Sequence, residues 1–206
     1  MQRDKENTKK KFIDAVGRLV VREGFAAVGV NSVAKEAGAD KTLIYRYFGD
    51  MEGLLAAFIS SRDYFSNLQS QLGDPSRINS VDELIAVMKK IFIGQLREIL
   101  SNKELREILI WELSADSKAA KMTAKIREKS SVDFVNAVKE RFIIEDVDAE
   151  ALLSILSASI YYLALRAKTV NVFTGIKFND EGWQRMEASI SSLIDMMRNK
   201  IKLKYI

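Results

Sequence analysis

Apolar positions recur every three to four residues along most of this chain, the period of one face of an α-helix. Phe12, Val16, Leu19 and Val20, with Ile13 beside them, mark a first helix from about Glu6 to Arg22. Gly24 then suits the left-handed turn that closes a helix. A second, short helix from about Asn31 to Ala37 buries Val30, Val33, Ala34 and Ala37, and Gly38 makes a tight corner. Asp40 accepts from free backbone N–H groups and so caps a third helix, Lys41 to Phe48. Gly49-Asp50 repeats the device and opens a long fourth helix to about Leu72. Gly73-Asp74-Pro75-Ser76 reads as a turn. Further helices follow at roughly 81–100, 102–114, 117–142, 147–171 and 180–203, with 171–179 as the loop before the last. The pattern predicts an all-α fold of about nine helices: a three-helix N-terminal domain at 1–50 and a helical bundle at 51–206.

Composition narrows the chemistry. Pro75 is the one proline and there are ten glycines, too few for the many turns of an all-β fold. Cysteine and histidine are both absent, which removes disulfides, thiolate sites, the commonest metal ligand and the usual general base. Neither an enzyme nor a metal or other cofactor is expected on these grounds. The N-terminus is charged, with no apolar stretch behind it, and does not read as a signal peptide. The uncharged run Ala151–Leu165 is fifteen residues long with three serines, short for a bilayer and suited to a buried helix. A cytoplasmic location is the expectation.

Charge is segregated. Residues 1–48 hold ten Lys/Arg against six Asp/Glu, and the remainder holds twenty-two of each sign. The excess positive charge at one end suits a polyanionic partner, although basic tails are common on proteins with no such partner. Two short helices joined by a glycine corner form the helix-turn-helix pattern, whose second helix enters the major groove. A projection at about 100° per residue puts Ile44 and Phe48 inward and Thr42 and Arg46 outward, with Tyr45 on one flank and Leu43 and Tyr47 on the other. Arg can pair with a guanine edge, and Thr and Tyr hydroxyls can donate to phosphates. The helix N-termini near Asp40 and Asp50 can offer backbone N–H groups to phosphate as well.

The segments Gly24-Phe25, Val33-Ala34-Lys35-Glu36-Ala37-Gly38, Leu43-Ile44-Tyr45-Arg46-Tyr47-Phe48 and Glu52-Gly53-Leu54-Leu55 together resemble the signature of the tetracycline-repressor (TetR) family, over about residues 10–58. The resemblance implies a DNA-binding transcriptional regulator with Lys41, Thr42, Leu43, Tyr45, Arg46 and Tyr47 at its DNA-binding positions. Tyr45 and Tyr47 would grip the backbone. Two departures stand out. Met51 occupies a position where the family usually has a phosphate-binding lysine, and Val28-Gly29-Val30-Asn31 replaces the usual Ser or Thr opening the second helix. Loss of one phosphate contact per subunit should weaken affinity and flatten its salt dependence.

By the same resemblance the later helices form an effector-binding and dimerisation domain. The last two carry Leu152, Leu153, Ile155, Leu156, Ile160, Leu163 and Leu165, then Trp183, Met186, Ile190, Leu193, Ile194 and Met197, and are the expected dimer elements. A small-molecule effector is expected among Phe65, Met88, Phe92, Trp111, Glu112, Phe134, Tyr161, Tyr162 and Arg166. Any single aromatic or methionine at helical spacing is nevertheless more often core than pocket, and Glu112 and Arg166 could equally make ion pairs. The expected whole is a homodimeric repressor, released from a palindromic operator by its effector, with no membrane role. The rival reading is a helical carrier or adaptor that binds a small molecule without DNA. A carboxylate enzyme of the di-metal bundle type needs Glu-x-x-His units that this sequence lacks.

Overall fold

The computed structural model describes residues 2–62 and 77–204, and the expected turn at Gly73–Ser76 lies outside them. Nine α-helices occur among the described residues: α1 (Gln2–Glu23), α2 (Val30–Ala37), α3 (Thr42–Phe48), α4 (Met51–Ser60), α5 (Val81–Ser101), α6 (Lys103–Ser114), α7 (Lys118–Arg141), α8 (Ala149–Arg166) and α9 (Asp180–Met196). The helical order follows the apolar periodicity. The ends differ where local hydrogen bonding overrides it.

Helix α4 closes at Ser60 instead of running unbroken to Leu72. Ser61 donates its N–H to both Ala57 and Phe58 carbonyls, and its hydroxyl returns to Phe58 at 2.7 Å, tightening the last turn. Helices α8 and α9 also stop short of their expected ends, at Arg166 and Met196. After α9 a single 3₁₀ turn (Arg198–Lys200) leads into a strand.

Two short antiparallel ribbons interrupt the all-helical expectation. β1 (Phe142–Ile144) pairs with β4 (Ile201–Leu203), with Phe142 opposite Leu203 and Ile144 opposite Ile201. β2 (Val172–Phe173) pairs with β3 (Ile176–Lys177) across Thr174 and Gly175, which take φ of 45° and 83°, the positive-φ turn of two-residue hairpins.

The backbone packs as two compact units, and their division is not the cut at residue 50. The first comprises residues 1–64 and 102–128, the second 65–101 and 129–206. In the first, Phe12, Ala15, Val16, Leu19 and Val20 of α1 meet Val33, Ile44, Leu54 and Phe58, and Ile108 of α6 and Ala119 of α7 complete the same core. In the second, Leu84, Met88, Phe92 and Leu96 of α5 lie buried with Ile160 of α8 and Ile190 and Ile194 of α9. Each fully buried aliphatic or aromatic side chain contributes about 1.5–3 kcal/mol.

Candidate nucleic-acid interface

Three glycines shape the N-terminal module. Gly38 (φ 61°, ψ 38°) is the left-handed cap of α2, donating to the Ala34 and Lys35 carbonyls. Gly49 (φ 85°, ψ −53°) turns the chain out of α3 in a conformation that side chains avoid. Gly53 lies so near the Phe48 carbonyl that a Cβ would stand 2.0 Å from its oxygen, which lets α3 and α4 meet closely.

The unusual opening of α2 has a local remedy. Gly29 supplies no capping side chain, but the Ser32 hydroxyl accepts from the Gly29 N–H at 2.9 Å and donates to the Ala27 carbonyl at 2.6 Å. This is the returning half of a capping box, made from inside the helix. At α3, Asp40 accepts from the Thr42 hydroxyl at 2.6 Å and the Thr42 N–H at 2.8 Å. These bonds, the hydroxyl first, hold the Asp40 carboxyl below its ordinary range. Asp50 caps α4 through the Gly53 N–H at 2.7 Å. Both carboxylates thus occupy backbone donors that were expected to be open to phosphate.

Helix α3 is pinned from one side. Ile44 is fully buried, and Phe48 meets Phe12 edge-on at 6.3 Å. Lys41, Thr42, Tyr45 and Arg46 are exposed, while Leu43 and Tyr47 are half-buried. Tyr45 keeps 53% of its surface open. Arg18 and Arg22 of α1 are spent on Glu36 of α2, at 2.7 and 2.8 Å. Lys41 reaches Asn31 at 3.5 Å, but Arg46 has no hydrogen-bond or ion-pair partner among the described residues. Of the cations nearest the reading face, Arg46 is therefore free to meet an outside anion. The structure adds Lys5, whose ammonium lies 5.7 Å above the Tyr47 ring. No periodicity links positions 5 and 47, so sequence reasoning passed it over. Met51 is half-buried against the core, an apolar contact in place of a charged one.

Of the nine residues expected to hold an effector, the eight described ones divide between the two units. Phe65 lies outside the described residues. Trp111 and Glu112 belong to the first unit, where Trp111 stacks on Phe25 at 4.5 Å and Glu112 is ion-paired with Arg127. In the second unit Met88 and Phe134 line a common cavity of about 470 Å³. Phe92 is buried, while Tyr161 accepts from the Gln95 amide at 2.8 Å. Gln95, missed in the sequence as one polar residue on an apolar face, is 8% exposed, and its Oε1 is buried with no partner among the described residues. Tyr162 is half open to solvent against Phe173, and Arg166 is exposed near Thr169.

An exposed reading helix set on two supporting helices by a glycine corner defines the helix-turn-helix class of nucleic-acid-binding modules. Residues 12–58 match the model of the family described as bacterial regulatory proteins, tetR family. A transcriptional repressor of the helix-turn-helix type from Streptomyces coelicolor is 35% identical over 60 residues, 29% of this chain and 31% of that protein. The curated relatives matched here are covered over only 24% to 31% of their own length. Solved structures extend the likeness to the whole fold. A TetR-family transcription regulator from Marinobacter aquaeolei superimposes with a TM-score of 0.60 at 22% identity, over 99% of this chain and 100% of that one. The transcriptional regulator FadR from Bacillus subtilis, solved with stearoyl-CoA, gives 0.57 at 15% identity over 90% and 96%.

Proposed function

We propose that this protein is a cytoplasmic, homodimeric transcriptional repressor that binds a palindromic operator and is released by a small-molecule effector. The observation that carries the DNA-binding part is the face of α3, where Thr42, Tyr45 and Arg46 are exposed while Ile44 on the opposite side is wholly buried. Arg46 would read a base edge, Thr42 and the two tyrosines would hold phosphates, and Lys41 would add charge at the helix start. The bound stearoyl-CoA of the Bacillus subtilis regulator supports a ligand-receiving C-terminal unit here, and enzymatic turnover forms no part of the reading.

The dimer reading rests on α8 and α9. Helix α8 has a mean hydropathy of 1.2, long and apolar enough by composition to cross a membrane, yet only 17% of it is buried within one chain. Ala151, Ile155, Ala158 and Tyr162 form an uncharged, exposed row along it, and Leu193 and Met196 do the same on α9. A second copy meeting this surface would cover it and present two reading helices about 34–36 Å apart.

The test is a salt titration of binding to duplex DNA from the flank of the protein's own gene. Arg46→Ala is expected to cost about 1–3 kcal/mol and to relax sequence choice. Tyr45→Phe should weaken binding without changing preference. Affinity unaltered in both variants would remove the site assignment and favour a carrier that ignores DNA.

A further inference from the structure

We propose that the cavity of the second unit is a binding cleft for an elongated apolar carboxylate, with the Lys204 ammonium as its charge partner. Its volume of about 470 Å³ falls within the range of ligand pockets, about 300–1,000 Å³. Its walls come from Met88 of α5, Phe134 and Val138 of α7, Phe142 of β1 and Leu153 of α8, and no charged side chain reaches in from α5. Apolar walls of this kind receive a hydrocarbon body.

The charges at the cleft select the head group. Four border it: Lys139, Asp148, Glu150 and Lys204. Lys139 and Glu150 answer each other at 2.7 Å. Asp148 caps α8 by accepting from the Ala151 N–H at 3.0 Å, where the positive helix terminus compensates it. Lys204 is left over. Its ammonium donates to the Lys139 carbonyl at 2.6 Å and has no carboxylate partner among the described residues. An ammonium has three donors, so two remain for an incoming acceptor. A carboxylate here also leaves the neighbouring ion pair intact, whereas a cationic head would have to compete with Lys139 for Glu150.

The strand pairing explains why this lysine is where it is. The Lys204 N–H donates to the Arg141 carbonyl at 2.8 Å, continuing the β1–β4 ladder, so the ribbon holds the residue against the end of α7.

This assigns a place and a ligand class to the effector reading and rests on it, so binding and DNA release are measured separately. Decanoate, decanol and decylammonium are titrated calorimetrically into the full chain. Decanoate is expected to bind most tightly, and Lys204→Gln to lower its affinity about tenfold while leaving decanol unchanged, as for a hydrogen bond to a charged group. Leu153→Trp, checked for native helicity by circular dichroism, should abolish binding of both. Equal decanoate affinity in Lys204→Gln, a preference for decylammonium, no binding at all, or unchanged binding to a folded Leu153→Trp would each overturn the proposal. DNA affinity is then measured with decanoate present. Binding through Lys204 without release from DNA would keep the cleft and sink the effector role.

Discussion

Arg46 and Arg22 are both exposed arginines of the N-terminal unit, and their partners separate them. Arg22 is held by Glu36 and Glu23, both at 2.8 Å, and its pKa is raised, by the Glu36 hydrogen bond first. Glu36 in turn is lowered from 4.5 to about 2, first by the hydrogen bond from Arg22 and then by that from Arg18. A carboxylate with a depressed folded pKa stabilises fully above its unfolded value, and that contribution disappears as pH falls through the folded one. The melting temperature of Glu36→Gln should therefore lie below that of the parent at neutral pH, with the gap closing between about pH 4.5 and pH 2. A gap of constant size across that window, followed by thermal melts, would show that Glu36 does not titrate as its pairing requires. The outward placement of Thr42 and Arg46 was legible because one helical projection sufficed. The neutralisation of Arg18 and Arg22 was not, since it depends on α1 and α2 meeting at residues fourteen and eighteen positions apart.

Turns decide more than helices do. At Gly53 an added methyl would meet backbone, which cannot swing away as a flexible side chain would. Gly53→Ala is expected to cost about 1–3 kcal/mol in urea denaturation, the usual penalty of overpacking. It should also weaken DNA binding by displacing α3, whereas Gly38→Ala, with open space around it, should show only the strain of a left-handed backbone, about 1–2 kcal/mol. Equal losses of DNA affinity from the two substitutions would contradict this account. The helices themselves were readable because apolar spacing persists over many turns, as in α5. The ribbons were hidden by their brevity. Three residues such as Phe142-Ile143-Ile144 are too few to show alternation, and their partner Ile201–Leu203 lies 59 residues downstream at matched register. The early stop of α4 was equally invisible, because Ser61 acts through bonds to the preceding turn and not through hydrophobicity.

Across the molecule, Ile155 and Tyr162 on α8 and Leu193 and Met196 on α9 are apolar side chains left exposed within one chain. Ile155→Glu places an unpaired carboxylate in the proposed dimer surface, and sedimentation should show the dimer's dissociation constant raised by at least about tenfold, since burying a lone charge costs several kcal/mol. Loss of operator binding should accompany it. A dimer as tight as the parent's would move the interface elsewhere. The uncharged run Ala151–Leu165 suited a buried helix, but the sequence could not show that Ala151, Ile155, Ala158 and Tyr162 stay exposed along it within one chain. Nor could it find the two compact units, whose residues are discontinuous in the chain. Ile108, Ala119 and Trp111 stand at the back of the helix-turn-helix module, far from it in sequence. Anyone grafting this reading head onto a different sensor would therefore have to transplant two separate stretches of chain. A fragment ending near residue 64 would leave Phe25 without its stacking ring and expose the apolar floor beneath α1 to water.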